Sequence, residues 1–322
     1  MPVLRHSSYP GAPRYLINGH FETIIPSILR KVEGVVYERE RLTLADGDFV
    51  DLDWIDRRSD KMVIMTHGLE GDSNRHYIKA TAKLFVRQGW DVLAWNCRSC
   101  SGEMNRAFRL YNHGEIGDIA EVIAHALRTR SYREVALVGY SMGGNIVLKY
   151  AGVHGRQLPD VIRKVVAVSS PTDLEASAKQ LDLPRNRFYR NRFMKKLIIK
   201  MQQKADLFPG KLDMTKLDQV RLWRDFDHHF SAPVNGYRDA DDFYTQASAV
   251  NYMADIAVPT LLVNAQNDPL LSPECSPAWL AEKHPHLYLE TPKTGGHVGF
   301  AVRGDEFSWA ERRALAFVIG SV

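Results

Sequence analysis

The chain reads as an α/β fold with a mostly parallel central sheet, interrupted late by a helical insertion. Three observations predict this. Short apolar runs alternate with helix-like stretches along most of the 322 residues, the order that lays parallel strands side by side beneath helices on both faces. Gly139-Tyr140-Ser141-Met142-Gly143 sits between one such run, Val135-Ala136-Leu137-Val138, and the helix-like stretch 145–150. Strand, glycine-flanked serine and helix in that order make a nucleophile elbow. Finally, the stretch 173–252 breaks the alternation and holds no clear buried strand.

The elements follow in order. Residues 1–34 mix proline, glycine and aromatics without a clear period and read as an arm laid over the domain. The alternating runs 35–44 and 49–55 flank Asp46-Gly47-Asp48, a hairpin that would place antiparallel strands at one edge. Met62–Met65 and Asp91–Trp95 read as buried strands, with a helix over 77–88 between them that ends at Gly89. A helix over 116–129 carries apolar positions at Ile119, Val122, Ile123 and Ala126. After the elbow come strands at 164–169, 260–263 and 287–289, then an amphipathic helix over 309–319. The expected division is an arm (1–34), a core (35–172 and 253–322) and a helical lid (173–252). A structureless loop of the lid's length would be improbable.

Composition bounds the function. Hydrophobic content of 45% and charged content of 25% are ordinary for a globular protein. A net charge of +4, without a localised patch, gives no case for a nucleic-acid partner. No apolar run approaches a membrane span, and the first residues lack the apolar stretch of a secretory signal, so a cytoplasmic protein is expected. Three cysteines, Cys97, Cys100 and Cys275, fit a reducing compartment. Cys97-Arg98-Ser99-Cys100 has redox or zinc spacing but lacks the context for either and reads as a loop after a strand. His228 and His229, near Asp225 and Asp227, lack a convincing ligand pattern. No metal and no cofactor are expected.

A serine hydroxyl needs a base to take its proton and an acid to orient that base. Asp268, in Asn267-Asp268-Pro269, and His297, in Gly295-Gly296-His297, both follow predicted strand ends, in the order Ser, Asp, His. They are assigned as orienting acid and general base for the nucleophile Ser141. Asp173 is the second candidate acid, but the favoured reading makes it the cap of the first lid helix. Backbone N–H groups of Met142 and of Leu69, in His67-Gly68-Leu69, are the expected oxyanion donors. His67 itself is read as a residue that hydrogen-bonds and positions its turn. Glu70 and Asp72 are expected to make the local field negative, so that neutral esters are preferred over anionic ones.

With these residues in place the chain resembles the α/β-hydrolase superfamily. More narrowly it is similar to the YheT-like branch, which includes plant embryogenesis-associated proteins and some animal phospholipid-cleaving hydrolases. The segments that carry the likeness include Asn18–Ile24, His67–Gly71, Asn96–Gly102, Gly139–Gly144, Phe226-Asp227 and Gly236-Tyr237. Asn267–Pro269 and Gly295–His297 complete the set. The resemblance implies carboxylic-ester hydrolysis through a serine acyl-enzyme at Ser141, His297 and Asp268, without a cofactor. Ser99 stands where the pattern expects glycine. The substrate expected is a small-molecule ester with an apolar acyl chain. A thioesterase or amidase on the same triad, and a non-catalytic binding protein on this scaffold, are the alternatives. Oligomeric state is left open.

The insertion is basic. Arg185, Arg187, Arg190, Arg192, Lys195, Lys196, Lys200 and Lys204 fall in a stretch without an acid, 183–205. Met194, Leu197, Ile198 and Met201 form one apolar helical face. Such a helix can rest weakly on an anionic membrane. The favoured reading packs its apolar face on the core and leaves its basic side in solvent.

Overall fold

The computed structural model describes residues 3–320. Met1 and Pro2 of the expected arm, and Ser321 and Val322 of the expected core, lie outside the described residues. Among the described residues nine strands form one sheet: β1 (Val3–Leu4), β2 (Glu38–Thr43), β3 (Phe49–Ile55), β4 (Lys61–Thr66), β5 (Asp91–Asn96), β6 (Glu134–Tyr140), β7 (Ile162–Val168), β8 (Thr260–Val263) and β9 (Leu287–Glu290). Their order is β1-β9-β8-β7-β6-β4-β5-β3-β2. The pairs β2–β3 and β3–β5 are antiparallel and the other described pairs parallel, so the expected hairpin does form one edge.

Alternate residues of each inner strand feed two apolar layers. Met62, Ile64, Val135, Leu137 and Val165 face one layer, and Val63, Met65, Ala136, Val138 and Val166 face the other. Because both faces are buried, these strands read as unbroken apolar runs. Helices α3 (Gly117–Thr129) and α4 (Met142–His154) cover the first face through Ile119, Val122, Ile146 and Val147. Helix α2 (His76–Arg87) and the C-terminal helix Trp309–Val318 cover the second through Ile78, Phe85, Ala314 and Phe317.

Two elements differ from expectation. The arm pairs through β1 with β9 in parallel. It also contains helix α1 (Gly19–Leu29), started by Asn18, whose side chain accepts from the N–H groups of His20 and Phe21 at 3.0 and 3.1 Å.

Between β7 and β8 the chain is helical, led by α5 (Leu174–Asp182) and α6 (Arg187–Leu207). Asp173 caps α5 by accepting from the Ala176 N–H at 3.0 Å, the capping role weighed for it. This insertion builds its own apolar cluster, in which Leu197 and Met201 of α6 pack with Trp223, Phe226, Phe230 and Phe243. Its basic face is only partly solvated. Lys204 is fully buried and donates to the Asn105 carbonyl at 2.8 Å and to that of Ala107. Lys200 pairs with Glu70 at 2.8 Å and Arg190 with Asp182 at 3.2 Å. Among the described residues no helix is long and apolar enough to cross a membrane.

The loop after β5 is fixed by a buried ion cluster. Arg98, 1% exposed, makes two 2.8 Å bonds to Asp118 and one of 2.6 Å to Asp48. Asp48 also accepts from Asn105 Nδ2 at 2.5 Å and from the Arg106 N–H at 2.7 Å. The cluster ties the hairpin turn to the start of α3. Cys97 and Cys100 sit in this loop as free, buried thiols, as the loop reading expects. Ser99 adopts φ +62°, the left-handed region that favours glycine, so the chain keeps the shape expected there. Arg98→Met leaves the buried Asp48 carboxylate without its cation and Asp118 with Arg109 alone, at 3.0 Å, and a loss of about 3–5 kcal/mol in stability is expected. Urea unfolding of wild type and variant measures it.

Candidate active site

Ser141 stands between β6 and α4 at φ 54° and ψ −121°, a backbone that L side chains rarely adopt. Small neighbours make it feasible. A Cβ on Gly143 would lie 2.2 Å from the Thr66 carbonyl oxygen, and one on Gly139 would lie 2.2 Å from that of Gly143. Asn145, fully buried, then ties the start of α4 to the end of the insertion. Its amide donates to the His113 and Ala247 carbonyls, both at 2.8 Å, and accepts from the Ala249 N–H at 2.9 Å.

The three residues expected to act together meet here. His297 Nδ1 lies 2.8 Å from Asp268 Oδ2, and His297 Nε2 lies 2.8 Å from Ser141 Oγ. An ionised carboxylate only accepts, so Nδ1 carries the proton and Nε2 is free to accept from the hydroxyl. Asp268 is 4% exposed, and its other oxygen accepts from the Leu270 N–H at 2.8 Å. The histidine loop is held from two sides. The His297 N–H donates to Thr23 Oγ1 at 2.8 Å, and the Val298 N–H donates to Ser169 Oγ at 2.9 Å.

Helix α1 supplies the bracing that the sequence reading missed. The carboxylate of Glu22, 2% exposed, accepts from Asn267 Nδ2 at 3.0 Å and from the Gly295 N–H. It joins the acid loop to the histidine loop. The fit is close: a Cβ on Gly19 would lie 1.9 Å from the Asn267 carbonyl oxygen, and one on Gly299 would lie 2.1 Å from that of Glu22. The motif Asn18–Ile24 is the available signal; its Glu22 and Thr23 face inward.

The loop after β4 packs on the elbow, where a Cβ on Gly68 would meet Ser141 Cβ at 3.0 Å. Among the described residues, no bond engages the N–H groups of Leu69 and Met142, whereas that of Gly68 donates to Tyr77 Oη at 3.1 Å and that of Glu70 to Tyr111 Oη at 3.1 Å. Met142 opens α4, where N–H groups lack intrahelical partners. His67 is fully buried. Its Nε2 accepts from the Cys97 N–H at 3.0 Å, and its Nδ1 donates to the Gly68 carbonyl at 2.8 Å. It positions this turn, the role expected of it.

The pocket beside Ser141 is lined by Ile24, Phe188, Tyr189, Phe193 and Leu270 on its apolar side. Tyr189 Oη bonds His20 Nδ1 at 3.2 Å, which joins α6 to α1. The expected negative field is not found. Glu70 is neutralised by Lys200, while Arg75, Arg192 and Lys196 line the same pocket. Asp72 turns to its own loop and accepts from the Asn74 N–H at 2.8 Å.

Burial pushes the His67 imidazole down to about 4. Between there and the roughly 6.5 of an unfolded histidine, the unfolded chain binds a proton that the folded chain does not. Stability therefore falls as pH drops through that window, by roughly 3 kcal/mol for this residue. Urea unfolding from pH 7 to 4.5 should show the fall, with a shallower slope in His67→Gln.

Comparison with known proteins identifies the fold and the family. The alpha/beta hydrolase fold family matches residues 61–303. The putative esterase YheT of Escherichia coli (strain K12) is 33% identical over 289 residues, covering 88% of this chain and 84% of that one. Phospholipase ABHD3 of Mus musculus is 26% identical over 309 residues, covering 93% and 74%. The Pyrococcus furiosus esterase Pf2001 superposes with a TM-score of 0.58 at 19% identity, over 90% of this chain and 97% of that one. An elbow on a mostly parallel sheet, matched over three quarters of the sequence, makes this chain a member of the alpha/beta hydrolase family, in its YheT-like branch.

Proposed function

We propose that the protein is a serine hydrolase that cleaves carboxylic esters through an acyl-enzyme. The observation that carries this reading is the unbroken relay from Asp268 through His297 to Ser141, with both contacts at 2.8 Å. Ser141 Oγ attacks the ester carbonyl carbon as its proton passes to His297 Nε2. The resulting oxyanion is held by the N–H groups of Leu69 and Met142. Collapse breaks the carbon–oxygen bond, and the alcohol leaves with the proton from His297. Water then attacks the acyl carbon, gives a proton to His297, and frees the carboxylic acid and Ser141. Asp268 keeps the imidazole oriented and stabilises its cation. In this reading residues 173–252 act as the lid over an acyl chain laid on Phe188, Tyr189, Phe193 and Leu270. Three free cysteines fit a cytoplasmic setting.

A fluorophosphonate probe should label the wild type and leave Ser141→Ala unlabelled; a well-folded wild type that resists the probe would sink the reading. Asp268→Asn should lower kcat by about 10⁴ through the wrong tautomer of His297. Glu22→Gln turns an amide N–H toward a donor at one of its two contacts. It should lower kcat roughly tenfold to a hundredfold by loosening the histidine loop. Its KM should change little, which steady-state kinetics on one ester would read.

A further inference from the structure

The wall beside Ser141 carries an imbalance of charge. Arg75, Arg192 and Lys196 line the pocket, and Glu70 is the only acid among its described lining residues. That carboxylate is already engaged: Lys200 Nζ lies 2.8 Å from it and Tyr111 donates to it. Three cations therefore face one cavity without an acid of their own.

Arg75 adds a second, independent sign. One of its terminal nitrogens donates to the Glu70 carbonyl, but its Nε is buried without a partner among the described residues, and so is Nδ1 of the neighbouring His76. Enclosed polar atoms of this kind are costly until a ligand or partner meets them. His76 adds no charge, since burial and the nearby Arg30 and Arg75 push its imidazole down to about 3. Burial, then Arg75, also lowers the Lys196 ammonium below its ordinary value, against the opposing pull of Glu70, with Arg192 and Lys200 adding to the crowding. A neutral substrate leaves this repulsion in place. An oxyanion relieves it, and both phosphate and carboxylate match the planar fork of a guanidinium.

We propose that the ester cleaved at this site carries an oxyanion, a phosphate or a carboxylate, bound by Arg75, Arg192 and Lys196 while its acyl chain rests on the aromatic side of the pocket. The inference rests on the serine-hydrolase reading above. It makes the substrate amphiphilic and reverses the preference for neutral esters expected from Glu70 and Asp72.

Matched substrates test it. Octanoylglycerol is compared with octanoylglycerol phosphate, and ethyl octanoate with octanoyloxyacetate, so that each charge lies on the alcohol side of the ester. At least one charged member should exceed its neutral match by about tenfold in kcat/KM. The phosphate pair and the carboxylate pair then report which oxyanion is taken. In the double variant Arg192→Ala, Lys196→Ala the ratio should fall to near one, and Lys196→Arg should keep it. Octyl phosphate should protect Ser141 from the fluorophosphonate at about a tenth of the octanol concentration required. Inorganic phosphate alone should protect poorly, because it lacks the chain. Equal rates for charged and neutral esters, in a protein whose Ser141 is labelled, would overturn the oxyanion site and leave the hydrolase reading standing. No turnover and no labelling would overturn both.

Discussion

The site depends on a serine whose backbone is held where serine does not settle unaided. A conformation of this kind costs on the order of 1–3 kcal/mol. It persists because β4, β6 and α4 pack against the turn from every side. The absent side chains of Gly139 and Gly143 let two carbonyl oxygens approach within 2.2 Å of where a Cβ would stand. The same closeness lifts the hydroxyl clear of the sheet and brings the His67–Leu69 turn against it. Strain in the backbone, the placing of the neighbouring N–H groups and exposure of the hydroxyl are thus one packing arrangement, set by where the ends of β4, β6 and α4 converge.

The histidine and the acid come from loops that the sheet alone would leave slack. Their order is imposed by polar groups of α1, a helix that contributes little to the apolar core. Glu22 and Thr23 reach three N–H donors across two loops, and His20 reaches the insertion through Tyr189. Arm, core and insertion therefore meet at the relay. The buried Arg98 cluster does comparable work at the other end of the site, fixing the loop whose Cys97 N–H holds His67. His67, beside the Gly68-Leu69 turn, is a neutral strut.

How much of this the sequence disclosed follows from which residues are buried. Inner strands such as Met62–Met65 and Val135–Val138 are apolar on both faces and could hardly be read otherwise. Ser141, Asp268 and His297 follow strand ends, where the fold gathers its ligands. Helix α1 escaped because its pattern is inverted. Gly19, Glu22, Thr23 and Pro26 are buried, while Ile28 and Leu29 are 59% and 71% exposed. Periodicity of apolar residues has nothing to detect there. The two-residue β1 is too short to show a period. The charge of the pocket was misjudged for a related reason. Glu70 lies beside Leu69 in sequence, but Lys200, Lys196 and Arg192 arrive from 120 or more positions away. Spatial pairing, not local composition, sets the sign of the field.

The separation between Glu22 and Gly295 bears on biosynthesis. Helix α1 is synthesised well before the loops it braces, since Glu22 lies 273 positions ahead of Gly295. Until the segment around His297 has been made, Glu22 and Thr23 have no histidine loop to hold. The surroundings of Ser141 are therefore completed only by a contact between parts of the chain that are made far apart in time.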